Sequence, residues 1–400
     1  SDEQAEAILA LQLYRLTNTD ITQLTEEKET LNKKIAQYEA ILASPKKLLQ
    51  SIKQDLRQIK KSYANERLTI IEDEIEEIKI NIEVTVPQET CIVSVTEEGY
   101  IKRTSLRSYG ASNKDDLMMK FTDNLVRLIE LETTDSILLF TNLGKYVCIP
   151  VHELSEIRWK DMGNHLSNLT TFEANERVVN CIPIREFTNQ QYLTFVTRNG
   201  MIKKTELDVY QSPRFTRSLI ALNLREEDEL VNVFVTNGED DIFIATYLGY
   251  GLWFNESEVS PVGQRALGVI GIQLKDDDYV VSGLLINEAE QPNLIVATQR
   301  GACKRMKLTE FERATRARRG ATMLRELKTK PHRLIGFFTL QKEEQLIFKT
   351  DKDQVITTTP FELPVSDRNS NGSFVIDVDT EGNIISVRQD VSYEQPFIEE

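Results

Sequence analysis

One five-residue pattern recurs along most of the chain and restricts the folds open to it: an apolar residue, Thr, two variable residues and Gly. Copies occupy residues 95–99, 140–144, 196–200, 245–249 and 297–301, and a sixth at 349–353 lacks the Gly. Each copy lies between runs of β-branched and aromatic residues, which indicates a strand, a tight turn and a return strand. Repeats of about 50 residues match a four-stranded propeller blade. The sequence therefore predicts six blades over residues 91–390.

The first 80 residues have a helical period instead. Ser1 and Gln4 form a capping box ahead of apolar residues at helical spacing. A later seam, Leu49, Ile52, Leu56, Ile59 and Tyr63, has the 3-4 spacing of a coiled coil and requires a facing helix. The expected fold class is α plus all-β: a helix over 1–20 that is either deeply packed or meets a partner, a coiled-coil arm with return helices over 21–80, a linker over 81–90, the six blades, and an acidic tail over 391–400.

Positive charge is concentrated in particular places although the net charge of the chain is −15. Basic pairs follow the turn in the odd repeats, at residues 102–103, 203–204 and 304–305, and the even repeats lack them. Equivalent positions of a radial array face equivalent directions, so these pairs are expected on one rim, roughly 120° apart. Residues 300–333 hold 12 Lys or Arg against three Glu. Such a cluster favours contact with nucleic-acid phosphates over a merely solvated face.

Few aromatic residues lie between these cations. This favours salt-sensitive contact with the duplex backbone over base stacking on single strands. The candidate DNA-binding residues are basic side chains of the repeats: Lys102, Arg103, Arg107, Lys203, Lys204, Arg214, Arg217, Arg265, Lys304, Arg305, Lys307, Arg316, Arg318 and Arg319.

Sequence patterns for catalysis are absent. The chain has no Walker A motif, no HExxH, no GxSxG and no glycine-rich dinucleotide loop. Its four cysteines are widely separated and lie in apolar runs, which predicts buried thiols and no metal pair. We therefore expect no catalytic residue, no metal site and no cofactor in this chain, and a cytoplasmic location.

Several motifs resemble the A subunit of the bacterial type IIA topoisomerases, gyrase and topoisomerase IV. Residues 4–17 resemble the exit-gate helix of that family, and Glu66-Arg67-Leu68-Thr69 resembles the Glu-Arg-Arg-Thr at the base of its coiled-coil arm, with Leu68 in place of Arg. The six repeats resemble its C-terminal β-pinwheel, whose blades exchange strands. This resemblance covers essentially the whole chain.

The resemblance implies a DNA-binding part of an enzyme that changes DNA topology. The gyrase box Gln-Arg-Arg-Gly-Gly-Lys-Gly is missing from the first repeat, where the chain has only residues 105–112, and this favours the Gram-positive topoisomerase IV branch. Implied partners are duplex DNA, a second A subunit through Ile8, Leu9, Leu11 and Leu13, and the B subunit in an A2B2 assembly, which would supply Mg²⁺ and ATP chemistry for decatenation and relaxation. The nucleophilic Tyr of the family lies upstream of the matching region, and none of the 12 tyrosines has its context.

Two other interpretations remain open at this stage. One is a gyrase A subunit with a degenerate box, which would wrap DNA and support supercoiling. The other is a propeller adaptor that binds proteins, which would need exposed apolar anchors in place of a basic rim. The acidic tail is expected to be a solvated end or a weak competitor for the rim.

Overall fold

The computed structural model describes residues 1–10, 21–64, 86–113, 116–340 and 344–397. The chain divides into two compact units, Ser1–Ile82 and Glu83–Glu400. No helix among the described residues is long and apolar enough to span a membrane.

The first unit is helical. Helix α1 (Asp2–Leu9) begins with the expected capping box between Ser1 and Gln4. Helices α2 (Ile21–Leu42) and α3 (Pro45–Tyr63) pack against each other, with Pro45 at the first position of α3. The apolar seam of α3 is exposed to solvent, as are Ile8 and Leu9 of α1. Leu11 and Leu13 lie outside the described residues.

The second unit is the six-bladed propeller, with sheets of four, four, four, four, four and three strands. The strands, given in sheet order, are as follows. Blade one contains β3 (Leu125–Glu132), β1 (Thr90–Thr96), β2 (Tyr100–Ser105) and β6 (Asn164–His165). Blade two contains β7 (Val178–Ile184), β4 (Ser136–Thr141), β5 (Lys145–Pro150) and β10 (Leu219–Ile220). Blade three contains β11 (Leu230–Thr236), β8 (Tyr192–Thr197), β9 (Met201–Glu206) and β14 (Val269–Ile270).

The remaining blades follow the same order. Blade four contains β15 (Val280–Ile286), β12 (Asp241–Thr246), β13 (Tyr250–Asn255) and β18 (Ala321–Thr322). Blade five contains β19 (Leu334–Leu340), β16 (Asn293–Thr298), β17 (Ala302–Lys307) and β22 (Ser373–Phe374). Blade six contains β23 (Ile384–Gln389), β20 (Leu346–Thr350) and β21 (Val355–Thr358). The described part of this unit also contains two short α-helices, α4 (Leu106–Gly110) and α5 (Val378–Glu381), and several one-turn 3-10 helices.

The recurring Thr and Gly of the sequence pattern build the hairpin turns. Gly99, Gly144, Gly200, Gly249 and Gly301 all have positive φ, which glycine adopts without steric cost. The Thr hydroxyl accepts a hydrogen bond from the residue after the turn, as Thr96 does from the backbone N–H of Tyr100 at 3.0 Å. The same hydroxyl also reaches a buried carboxylate, as Thr197 does at 2.7 Å from Asp228 Oδ2.

The outermost strand of each four-stranded blade belongs to the following repeat. Strand β6, for example, follows β5 of blade two in sequence but pairs with β2 of blade one. This is the strand exchange that the resemblance implied. The hydrophobic core lies between neighbouring blades and contains all four cysteines as buried free thiols.

The end of the described chain packs on blade one. The backbone of Glu394 exchanges hydrogen bonds with β3, donating to Leu128 O at 3.0 Å and accepting from Glu130 N at 2.9 Å. The ring of Tyr393 stacks on Tyr109 with centroids 5.6 Å apart, and Phe397 packs against the core of blades one and two. Residues 391–397 therefore differ from the expectation of a solvated end: Val391, Tyr393 and Phe397 are half-buried against the propeller.

Candidate nucleic-acid interface

Five loops form the outer rim of the propeller. Each loop runs from the end of one repeat's hairpin to the strand that pairs with the preceding blade, and together we call them the belt: residues 154–163, 211–218, 259–268, 311–320 and 363–372. Hydrogen bonds tie successive belt loops to the blade behind them. Gln264 Nε2 donates to Ile220 O at 2.8 Å, and Gln273 N donates to Arg318 O at 2.9 Å. The third and fourth belt loops are therefore each fixed to the segment that follows the preceding belt loop.

Glycine at the end of a belt loop permits the close approach of loop and blade. Gly268, Gly320 and Gly372 have positive φ, and a Cβ at any of them would collide with a backbone carbonyl of the neighbouring strand. Any other residue would therefore push the loop, and its side chains, away from the blade.

The first lysine of each basic pair is buried under the belt. Lys102, Lys203 and Lys304 are each 1 % exposed. Lys102 Nζ donates to the carbonyls of Trp159 and Asp161, both at 2.6 Å, and of Arg158 at 3.1 Å. Burial lowers the pKa of Lys102 to about 8 and that of Lys203 to about 7.

The other two buried lysines hold belt loops in the same way. Lys203 Nζ donates to the carbonyls of Gln264 and Ala221, and Lys304 Nζ donates to those of Arg368 at 2.9 Å and Ser370 at 2.8 Å, among others. The prediction that these three lysines contact phosphates is wrong for this fold, because their ammonium groups are enclosed by backbone carbonyls.

The second members of the pairs also differ from the expectation. Lys204 is buried, and its Nζ donates to Glu256 O at 3.1 Å. Arg103 and Arg305 are half-buried, and the guanidinium of Arg305 lies 4.9 Å from the Phe361 ring centroid. Lys204 is thus removed from the candidate surface, while Arg103 and Arg305 keep only partial access to it.

The remaining candidates are more accessible. Arg107, Arg214, Arg217, Arg265, Lys307, Arg318 and Arg319 are exposed. Apart from a bond between Arg318 Nε and Thr315 Oγ1, their side chains have no hydrogen-bond or ion-pair partner within the described parts of the chain. Arg316 is half-buried and is held by the carbonyls of Glu258 and Ile270, each at 3.0 Å.

The exposed belt cations lie side by side in three loops. Residues 211–218 carry Arg214 and Arg217, and residues 259–268 carry Arg265. Residues 311–320 carry the exposed Arg318 and Arg319, together with the half-buried Arg316 and with Arg313, which forms ion pairs with Asp241 and Glu288. These loops pair with blades two, three and four, so we call them the basic arc. The exposed cations therefore lie on three adjacent blades, and not on alternate blades 120° apart as expected.

Sequence reasoning missed several exposed or half-exposed cations. Arg158 and Lys160 lie in the first belt loop, where Asp161 and Glu156 balance them, and Arg368 lies in the last loop beside Asp367. The signal that could have found them is the position of each loop just before the short exchanged strand. Among the described residues no group of three or more His, Cys, Asp and Glu side chains could hold a metal ion.

More than half of the chain matches the family model described as DNA gyrase C-terminal domain, beta-propeller, over residues 92–116, 135–185, 191–237, 240–287 and 292–340. The A subunit of DNA topoisomerase 4 from Bacillus subtilis (strain 168) is 53 % identical over 387 residues, which are 97 % of this chain and 48 % of that protein. The corresponding protein from Staphylococcus aureus (strain MRSA252) is 42 % identical, with the same coverage. The chain thus spans about half the length of these relatives.

Solved structures give the same picture of the fold. A crystal structure of the C-terminal domain of DNA topoisomerase IV is 50 % identical, with a TM-score of 0.72, over 76 % of this chain and 94 % of that one. The structure of a DNA gyrase A C-terminal domain covers 76 % of this chain and 100 % of that one at 19 % identity and a TM-score of 0.57, which is a likeness of fold alone.

Proposed function

Because the chain belongs to the family of the DNA gyrase C-terminal β-propeller, we propose that its second unit binds duplex DNA through the basic arc. The observation that carries this proposal is the set of exposed arginines on three adjacent belt loops, most of them without a protein partner in the described chain. Guanidinium groups on a convex rim suit the phosphate backbone, which they contact without reading sequence.

The structural lysines support the same function indirectly. Lys203 fixes the loop that carries Arg265, because its ammonium group holds the carbonyl of the adjacent Gln264. A loop held on both sides keeps its arginine at a constant place on the rim, so less conformational entropy is lost when phosphate binds. The buried and the exposed cations thus have separate tasks.

The wider role of the chain follows from its relatives. We propose that it is the C-terminal part of the A subunit of a type IIA topoisomerase of the topoisomerase IV kind, in which the arc presents DNA for decatenation and relaxation. In this proposal two A subunits associate through Ile8, Leu9, Leu11 and Leu13, and the B subunit completes an A2B2 enzyme in the cytoplasm, at the nucleoid. Mg²⁺ and ATP supply strand-passage chemistry elsewhere in that assembly.

The salt dependence of duplex binding tests the arc. The variant Arg318→Ser/Arg319→Ser should lower the slope of log K against log salt concentration by ~1.8, since each lost phosphate contact removes ~0.9. Fluorescence anisotropy of a labelled duplex titrated with the 400-residue chain measures this slope.

The matched control is Arg225→Gln, which removes an exposed arginine that lies outside the belt, in residues 221–229. It should leave the slope at the wild-type value. A double variant with the slope of wild type, or an equal loss in the control, would contradict the assignment of the arc.

A further inference from the structure

A second basic surface lies away from the belt, on the face of the propeller that carries the hairpin turns. After each exchanged strand the chain crosses this face towards the inner strand of the next blade. The five crossings are residues 166–177, 221–229, 271–279, 323–333 and 375–383. Each ends in the same hydrogen bond to a hairpin turn, for example Arg198 N to Glu229 O at 2.8 Å and Gln299 N to Arg333 O at 3.0 Å. The crossings are therefore structurally equivalent and can be compared directly.

Four of the crossings have an excess of acidic residues, and one is strongly basic. At least three Asp or Glu and at most one basic residue are present in each of the crossings 221–229, 271–279 and 375–383. The crossing 166–177 contains two Glu and one Arg. The crossing into blade five, 323–333, contains Arg325, Lys328, Lys330 and Arg333 against Glu326 alone. A charge reversal at one of five equivalent positions is not explained by the fold, because the other four crossings build the same turn contact with acidic sequences.

The charge of the buried residue under the hairpin turn also differs in blade five. In blades two, three and four a carboxylate accepts a hydrogen bond from the pattern Thr: Glu176, Asp228 and Asp278 do so at 2.7–2.8 Å. In blade five His332 takes this place, with Nδ1 3.1 Å from Thr298 Oγ1. Its Nε2 lies 3.1 Å from Arg300 Nη1 and must accept, since a guanidinium only donates. Blade five thus lacks the buried negative charge that blades two, three and four have, and in blade six the pattern Thr350 donates to a backbone carbonyl, that of Glu381.

Part of the blade-five turn and the end of its crossing form one wall of an open cleft of about 720 Å³. Arg300, Lys330 and Arg333 line the cleft, and the guanidinium of Arg300 lies 5.4 Å from the ring centroid of Phe374. The side chain of Lys330 is exposed and has no partner in the part of the chain that the structure describes. The opposite wall carries Asp377 and Asp379 from the crossing into blade six.

The cleft is connected to the belt. Arg325 N donates to Asn371 Oδ1 of the last belt loop at 2.8 Å, so the basic crossing begins at the rim. Directly before it in sequence are the arc residues Arg316, Arg318 and Arg319 and the exchanged strand β18. Cations therefore continue from the arc inward over the turn face, and such a track fits a long polyanion better than an isolated small anion.

We propose that the blade-five crossing and its cleft are a second phosphate-binding site for duplex DNA, where the duplex leaves the rim and turns onto this face. The proposal rests on the proposed function of the arc and adds a direction to it: DNA on the arc continues towards blade five. The acidic crossings of the other blades repel phosphate and restrict the contact to this sector.

Two duplex lengths test the site. The variant Lys328→Gln/Lys330→Asn removes two exposed ammonium groups, and Asn suits the left-handed backbone of Lys330, whose φ is 51°. With a duplex of about four helical turns (~42 bp) the salt slope should fall by ~1–2, whereas a duplex of ~16 bp, chosen to occupy the arc without the cleft, should show the wild-type slope. The substitution Asp379→Asn removes a repulsive charge and should tighten binding of the long duplex by about 2-fold.

The controls separate this site from the arc. Arg225→Gln, on the equivalent crossing into blade three, should change neither slope, and Arg318→Ser/Arg319→Ser should lower both. If the cleft variant keeps the wild-type salt slope on the long duplex, or lowers the slope equally on both duplex lengths, the cleft proposal is wrong while the assignment of the arc stands. If the arc variant is without effect on both lengths, the proposed function itself fails.

Discussion

The lysines under the belt and the arginines on it differ in environment although both belong to basic clusters of the sequence. Lys304 is enclosed by backbone carbonyls, whereas Arg318 and Arg319, in the next belt loop along the chain, are exposed. An ammonium group has three donors on a compact head and satisfies several converging carbonyls, while a guanidinium presents a flat fork to solvent and phosphate. The comparison teaches that a buried lysine here positions a belt loop, while the exposed arginines of the arc are the residues accessible for the proposed contact with DNA.

The largest effect is expected from removing a buried lysine. Lys304→Met should lower the free energy of unfolding by about 3 kcal/mol, because carbonyls of Met323, Asp367, Arg368 and Ser370 lose their donor. Chemical denaturation followed by a β-sheet signal measures this loss.

The even blades offer a matched control for that variant. Leu252 occupies the equivalent position of blade four and is buried, so Leu252→Met should cost less than about 1.5 kcal/mol. If Lys304→Met were as stable as wild type and bound DNA with a lower salt slope, the division between buried and exposed cations would be wrong.

A second effect concerns pH. Burial lowers the pKa of Lys203 to about 7, from 10.5 for the free side chain, so between these values the unfolded chain binds more protons than the folded chain. The contribution of Lys203 to stability therefore rises as pH increases through this window, by up to ~1.4 kcal/mol per pH unit.

Denaturation of wild type and Lys203→Met at pH 7.5 and 9.5 isolates this contribution, since the other titrating groups are common to both proteins. Stability should increase more with pH in wild type than in the variant. Equal pH dependence in the two proteins would show that the ammonium group is not desolvated in the fold.

The smallest effect is expected at Arg316, which combines both roles. Its guanidinium donates to the carbonyls of Glu258 and Ile270 but remains half-exposed on the arc. Arg316→Met should therefore cost about 1 kcal/mol of stability and also lower the salt slope of duplex binding by ~0.9 or less. A change in stability alone would make Arg316 a structural residue, and a change in the salt slope alone would make it a residue of the DNA-contact surface.

Much of the propeller could be predicted from local sequence. The spacing of Thr and Gly has a local cause, a positive-φ turn capped by a hydroxyl: the positive-φ Gly recurs in blades one to five, and the hydroxyl cap in blades one, three, four and five. The basic pairs were misread for a reason that strand geometry explains. Consecutive residues of a strand point to opposite faces, and both faces of a blade pack against neighbouring blades, so adjacent Lys and Arg could not both lie free on a rim.

The C-terminal tail is a second place where local sequence did not predict the environment of the side chains. Residues 394–400 contain three Glu, which suggested solvation, yet Tyr393 and Phe397 pack on blade one. Local composition does not report such contacts, because the covering surface is more than 200 residues away in sequence, as the bond between Arg127 and Glu394 shows.

The sequence by itself determined the number of blades, the hairpin at the centre of each and the helical start of the chain, because short-range periodicity and turn chemistry specify them. Only the tertiary structure decided which cations are buried, and that the arc occupies three adjacent blades. The physical reason is strand exchange: each belt loop is placed by pairing with the blade before its own repeat, so its surroundings are set by contacts between repeats that no local pattern encodes.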